Sequence, residues 1–231
     1  MHSIMENISF QIIMAEPSHK KYSTIITDEM ENSAKARGTG IAKRSPAYIE
    51  TKMDEGKAVI ALTQDGTWAG FCYIEAWGHG KYVANSGLIV APEFRKYGLA
   101  RKIKQEIFKL SRKKYPDSKI FGLTTGAAVM KINSGLGYIP VSYADLTDDN
   151  EFWKGCQSCV NYEILMSKQR QNCLCTAMLY DPEAKKNHLE DIALRQDFKK
   201  DLKLFDRWVR LKKYVMLKIN KSKDSLSSIF L

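Results

Sequence analysis

Residues 86–110 read SGLIVAPEFRKYGLARKIKQEIFKL, and two periodicities meet inside them. Leu88, Ile89 and Val90 form a short apolar run bounded by Gly87 and Pro92, the pattern of a buried strand. Beyond Phe94 the spacing changes. Leu99, Ile103, Ile107 and Leu110 recur every three to four residues, which gathers them on one face of a helix. The join carries Arg95, Lys96, Tyr97, Gly98, Leu99, Ala100 and Arg101, so a glycine and a small residue stand where the helix begins, with basic side chains beside them. A helix start presents unpaired backbone N–H groups and the positive end of the macrodipole, and it holds a phosphate when no bulky side chain blocks the approach. Gly98 and Ala100 leave that approach open.

At 231 residues with 44% apolar content, the chain is long enough for one medium domain and an appendage. No run of about 18 uninterrupted apolar residues is present, which excludes a membrane-spanning helix. Residues 1–16 lack the basic start and long apolar core of a secretion signal, so a cytoplasmic location is expected. The formal charge is +10, yet residues 183–224 alone hold 13 Lys and Arg against 7 Asp and Glu. Most of the excess therefore lies in the last fifth. A modest remainder suits a nucleotide polyphosphate as ligand and does not call for DNA or RNA as partner.

Around the central stretch, residues 8–15 alternate as a first strand that Pro17 closes, and a helical pattern follows from Ser18 to about Ala36. Arg37 to Arg44 form a loop with two glycines, and Ser45-Pro46 supply an N-cap and first turn for a second helix ending near Glu55. Residues 57–63 and 67–77 read as strands joined at Asp65-Gly66, a hairpin signal, and Gly78-His79-Gly80 turns into a third strand, residues 82–90. After the central helix come a strand at 119–125, a helix at 127–136 that exits at Gly137-Tyr138, and a strand at 139–143. Residues 148–155 read as a helical turn, and the apolar segments 159–165 and 173–180 as a closing hairpin. Asp181-Pro182 marks a boundary, dividing the chain into residues 1–182 and a basic amphipathic helical extension, 183–231, with Leu194, Phe198, Leu202, Phe205 and Val209 in phase. That stripe calls for cover, from its own domain or from a second copy in a homodimer; a membrane surface is the other taker, since Lys212, Lys213 and Lys218 flank it.

The order of elements, with Val-x-Pro and then Arg95-x-x-Gly98-x-Ala100 opening a helix, resembles the acyl-CoA pyrophosphate loop of the GNAT (GCN5-related) N-acetyltransferases. The resemblance covers about residues 8–180. It implies a mixed α/β fold with a largely antiparallel central sheet flanked by helices, and acetyl-CoA as cosubstrate held by the loop from Arg95 to Arg101. It also implies that a backbone N–H near Leu88, Ile89 and Val90 meets the thioester carbonyl. Many members carry a Tyr acid four residues before the Gly at the exit of the second conserved helix. Here that position is Asn133, which cannot give a proton to a thiolate but can hydrogen-bond the pantetheine arm.

The acceptor side is read from the neighbouring strand and loop. Phe71, Tyr73, Glu75 and Trp77 alternate onto one strand face, so a carboxylate stands among aromatic rings, a setting that suits a general base acting directly or through water. Glu75 is the candidate and His79 the alternative. Leu123-Thr124-Thr125 with Gly137-Tyr138 resembles a segment of bacterial N-acetylglutamate synthases, and residues 37–46 and 153–156 resemble short GNAT proteins of bacterial arginine biosynthesis. The resemblance implies a small-molecule amine as acceptor, L-glutamate foremost, with Arg37, Arg44, Thr124 and Thr125 on it; paired cations suit a dicarboxylate. Another amine acceptor, or a non-catalytic CoA- or nucleic-acid-binding module, is the competing reading. Cys156, Cys159, Cys173 and Cys175 are enough thiols for a zinc site. The expected hairpin holds Cys159 roughly 13 Å from Cys175, so no metal is assigned.

Overall fold

Strands β3 (Trp68–Trp77) and β4 (Tyr82–Val90) form the spine of the computed structural model, which describes residues 8–38, 43–187 and 206. They pair antiparallel, and the sheet extends on one side through β2 (Ala58–Thr63) to β1 (Phe10–Met14). On the other side come β5 (Lys119–Thr124), β7 (Thr176–Tyr180) and β6 (Ile139–Pro140), giving the order β1-β2-β3-β4-β5-β7-β6. Every pairing is antiparallel except β4 with β5. This is the mixed α/β, largely antiparallel sheet of the GNAT fold. By contact clustering the chain divides into two units, residues 1–182 and 183–231. Of the second unit only α7 (Pro182–Asn187), which begins at the boundary, and Asp206 are described; the helical extension expected there lies outside the described residues.

Helices cover both faces. On one, α3 (Leu99–Lys114) and α4 (Ala127–Gly135) pack on alternate strand residues, with Cys72, Ile74, Val83, Leu99, Ile103, Ile107 and Ile120 buried together. On the other, α1 (Ser23–Arg37) and α2 (Pro46–Asp54) cover Ile60, Phe71, Tyr73 and Ile89. Short helices α5 (Asn150–Lys154) and α6 (Tyr162–Ser167) cover Phe121 and Leu179. Ser45 caps α2 by accepting from Tyr48 N, as the Ser-Pro pair foretold.

The β3–β4 ladder slips between Phe71 and Tyr73, which face Ile89 and Ser86, so Gly87 and Leu88 stand opposite Cys72 alone. Gly87 takes φ +63°, and a Cβ there would lie 2.4 Å from the Tyr73 ring; only glycine meets both demands.

Three expectations change. Residues 159–165 do not pair with 173–180: α6 occupies part of that run, and β7 pairs instead with β5 and β6. The apolar run Val160 to Met166 is unsorted by period two, and only Leu165 is buried while Val160 is 71% exposed, the pattern of a short helix resting on one residue. The distance argument against zinc falls with the hairpin. Among the described residues no three His, Cys, Asp or Glu side chains form a group able to hold a metal ion. The strand expected over 139–143 shortens to Ile139–Pro140, since Pro140 lacks a ladder donor and the chain turns at Tyr143. The first helical stretch opens as a 3-10 turn, Pro17–Tyr22, before α1.

Candidate active site

The parallel ladder between β4 and β5 is short. It joins Tyr82, Val83 and Ala84 to Lys119, Ile120 and Phe121, after which β5 runs on beside β7 alone. Which backbone groups face the resulting opening follows from strand alternation. Ile74 N donates to Lys57 O on the β2 side at 2.7 Å, so its partner Asn85 turns its own N–H and C=O away from β3, toward the opening. Ala91 N donates to Ala69 O at 3.0 Å, which makes Gly70 and Val90 a non-hydrogen-bonded pair; Val90 likewise faces the opening. Its carbonyl accepts from Arg95 Nε at 3.3 Å. Ile89, one step along, turns its amide to β3, so of the apolar run Val90 is the residue aimed at the opening. Leu88 stands in the bulge, half-buried.

Beyond Val90 the chain makes a 3-10 turn at Pro92–Phe94 and reaches α3 through two left-handed residues, Lys96 (φ +71°) and Gly98 (φ +73°). Gly98 is the N-cap, and nothing lies within 4 Å of where a Cβ would stand. Leu99 sends its side chain into the core, 1% exposed, while Arg101 N and Lys102 N turn back to Gly98 O at 3.1 and 3.4 Å. The amides of Leu99 and Ala100 are left as the outward donors of the first turn. Lys96 and Arg101 are exposed beside them. Arg95 serves elsewhere: its guanidinium meets Glu29 Oε1 at 2.7 Å and Ser33 Oγ at 2.9 Å, bracing the turn against α1. Tyr97 packs edge-on to Phe10.

Asn133 on α4 is 1% exposed. Its Nδ2 rests 3.8 Å from Met178 Sδ and blocks any Cβ on Gly122 of β5, while its Oδ1 has no hydrogen-bond partner among the described residues. A buried amide oxygen without a donor is costly to leave so. The open glycine turn and this acceptor are both features that a phosphate-bearing cosubstrate with an amide-containing arm would satisfy.

Glu75 lies on the opposite sheet face, 8% exposed, on the same strand face as Phe71, Tyr73 and Trp77. The aromatic neighbours are present, but so are cations. Lys52 Nζ stands 3.0 Å from Glu75 Oε2, Arg44 3.8 Å from Oε1, and Tyr48 Oη hydrogen-bonds Oε1. Arg44 also donates Nε to Tyr73 Oη at 2.9 Å and stacks over the Tyr48 ring, 5.1 Å from its centroid. Burial lowers the guanidinium's pKa, and Tyr73, Tyr48 and Glu75 more than reverse that, so the net shift is upward. Burial, then the bond to Glu75, push the Tyr48 phenol well above the usual tyrosine range. A cavity of about 430 Å³ opens over this cluster, lined by Lys43, Arg44 and Lys154 as well as Glu75, Trp77 and Glu151.

The structure thus joins Arg44 to Glu75 and leaves other expected residues apart. Thr124 spends its hydroxyl on Gly126 N at the start of α4, Thr125 is exposed, and neither lines the cavity. Arg37 ends α1 with its side chain outside the described residues, as are residues 39–42 of the loop. His79 sits exposed in the turn after β3. Tyr48 and Lys52 went unread in the sequence, although their four-residue spacing on α2 puts them on one helix face. Lys43 and Lys154 were also missed, being brought together only by tertiary packing; Lys43 N donates to Ser158 Oγ at 3.0 Å.

Residues 27–128 match the acetyltransferase (GNAT) family. No curated protein matches the chain by sequence. Among solved structures, N-acetylglutamate synthase from Neisseria gonorrhoeae, complexed with coenzyme A and N-acetyl-glutamate, aligns at TM-score 0.53 and 15% identity over 75% of this chain. The chain spans 35% of that enzyme's length. A Mycobacterium tuberculosis protein in complex with CoA and a second ligand aligns at TM-score 0.53 and 14% identity, covering 74% of this chain and 98% of that one. A Salmonella typhimurium protein crystallised with its cofactor acetyl-CoA aligns at TM-score 0.52 and 15% identity, covering 75% and 94%. At such identities the likeness speaks for the fold, and the sequence match covers residues 27–128 alone. The fold is that of the GNAT acetyltransferases, and the segment from α1 to the start of α4 carries the sequence likeness to that family.

Proposed function

We propose that the chain transfers an acetyl group from acetyl-CoA to the amine of a small anionic acceptor, L-glutamate being the first candidate and cytoplasmic arginine biosynthesis the setting. The observation that carries the acceptor class is the cavity over Glu75, where the three cations Lys43, Arg44 and Lys154 outnumber the two carboxylates Glu75 and Glu151, the second of them paired with Lys154 at 2.5 Å. A dicarboxylate amino acid complements that arrangement, because Arg44 offers a fixed fork and the lysines offer point charges. A polyamine would meet like charge instead.

In this reading the amides of Leu99 and Ala100, with Lys96 and Arg101, hold the diphosphate of the cosubstrate, and Val90 aims its N–H at the carbonyl oxygen that becomes negative. Bound acetyl-CoA supplies the acetyl group as an activated thioester. Asn133 offers Oδ1 to an N–H of the arm. Glu75 accepts a proton from the acceptor ammonium, directly or through water, and frees the nitrogen lone pair; Lys52 and Tyr48 fix where that carboxylate stands. The residues named for these roles lie in the unit 1–182.

The test is thiol release from acetyl-CoA with a panel of amino acids and polyamines. Glutamate-dependent release above that with spermidine or glutamine is expected. Release with cationic amines alone would overturn the acceptor class, and no acceptor-dependent release would leave a binding module.

A further inference from the structure

One buried charge is unused by the reaction. Lys104 lies on the inner face of α3 and is 2% exposed. Among the described residues its hydrogen-bond partner is a single backbone carbonyl, Asn85 O, at 3.2 Å, and its ammonium lies 5.8 Å from the centre of the Tyr138 ring. Cys72 is the charged or titratable group coupled to it electrostatically, and burial pulls the amine's pKa down. An apolar side chain of the same length would fill this position without the cost of desolvating an amine. The cost calls for a use.

The carbonyl it holds is the one that alternation turns toward β5 immediately after the last parallel pair, Ala84 with Phe121. Asn85 is gripped by its side chain too: Nδ2 donates to Ser111 Oγ at 2.6 Å and Oδ1 accepts from Tyr138 Oη at 3.1 Å. Lys104, Ser111 and Tyr138 therefore fasten the residue at the apex of the opening to α3 and to the exit of α4.

We propose that Lys104 is a positioning residue that holds β4 open from β5: by occupying the Asn85 carbonyl it ends the parallel ladder there, and so sets where acetyl-CoA lies along β4. The role rests on the acetyl-CoA reading above; the wedge itself does not. The asymmetry is in the bonds made. β5 continues for three residues past Phe121 and is paired throughout with β7, so strand breakdown on the β5 side does not explain the parting. On the β4 side an ammonium takes the Asn85 acceptor, two residues before the bulge at Gly87 and Leu88 bends the strand.

The experiment compares the wild-type chain with Lys104→Met, with Lys104→Leu as a second apolar variant should methionine not fold, and with Lys104→Gln, which keeps a neutral donor. Calorimetry with acetyl-CoA is expected to show a dissociation constant at least fivefold higher in the apolar variant and partly recovered in Lys104→Gln, while the KM for the amine acceptor stays within twofold and the melting temperature does not fall. Amide exchange read without cosubstrate is expected to slow at Leu123 in the apolar variant, since alternation from Lys119, whose N–H donates to Lys81 O, turns the Leu123 N–H toward the freed Asn85 carbonyl as the ladder advances. Unchanged exchange, or an unchanged dissociation constant beside a wild type that binds, overturns the inference. A wild type that does not bind acetyl-CoA while exchange slows keeps the wedge and overturns both the cosubstrate reading and the positioning role built on it.

Discussion

Gly98 is the residue on which the cosubstrate reading turns, and its backbone says more than its size. At φ +73° a side chain strains the turn even though space around it is open, so Gly98→Val distorts the donors without filling a core. The strain is on the order of 1–3 kcal/mol. Calorimetry is expected to show acetyl-CoA affinity reduced tenfold or more while far-ultraviolet dichroism stays native; an unchanged affinity removes the turn from the site. Glu75→Gln tests the other half. It keeps the shape and the bond from Tyr48 but cannot take a proton, so turnover is expected to fall about 10²- to 10⁴-fold at neutral pH with acetyl-CoA affinity held. Both residues were legible because each obeys a local rule: a glycine at a helix start, a carboxylate in strand phase with aromatics. Lys104 was not. It flanks the apolar stripe of Leu99, Ile103 and Ile107, where a lysine reads as surface, and only the sheet's position over α3 shows it enclosed.

At the scale of elements, the strongly periodic pieces were readable and the short ones were not. The sixteen residues of α3 carry four turns of consistent phase, and β2 through β4 are separated by turn signals that admit few alternatives. Residues 156–175 offer no such redundancy: six-residue α6 has one buried side chain, so its apolar letters fit strand or helix alike until Leu165 is seen resting on the α5 cluster. The acceptor cluster was half-legible for a related reason, since α2 sends Tyr48 and Lys52 to Glu75 across layers that sequence spacing does not connect. The packing of α3 on β3 makes its own prediction. Cys72, enclosed between them, has its thiol pushed up from the ordinary 9.0 to about 11 by burial. The folded state favours the protonated thiol, so this contribution is fully present below pH 9 and is lost as pH rises toward 11. Chemical denaturation from pH 8 to 11 is expected to show a steeper loss of stability in the wild type than in Cys72→Ala; equal slopes remove the thiol from the account.

Across the whole molecule, charge is what the proposed acceptor class rests on. The chain carries +10, but a field of that size attracts any anion and selects none. In the proposed reading selection is local, from Lys43, Arg44 and Lys154 lining the cavity beside Glu75 and Glu151. Lys43 and Lys154 stand 75% and 57% exposed, so salt screens them, whereas Arg44 is only 20% exposed, held by Tyr73 and Glu75. Screening acts over about 8 Å at physiological ionic strength, and exposed pairs are worth little once it does. The two kinds of cation therefore separate in one measurement. Raising salt from 50 to 500 mM is expected to increase the glutamate KM several-fold, an effect that Lys43→Met and Lys154→Met together abolish. Arg44→Lys is expected to raise KM at every salt concentration, because an ammonium at that position loses the fork and the stacking on Tyr48. If the acceptor were a cation, salt would instead lower its KM by screening repulsion from the same three residues, so the sign of the salt effect distinguishes the acceptor classes.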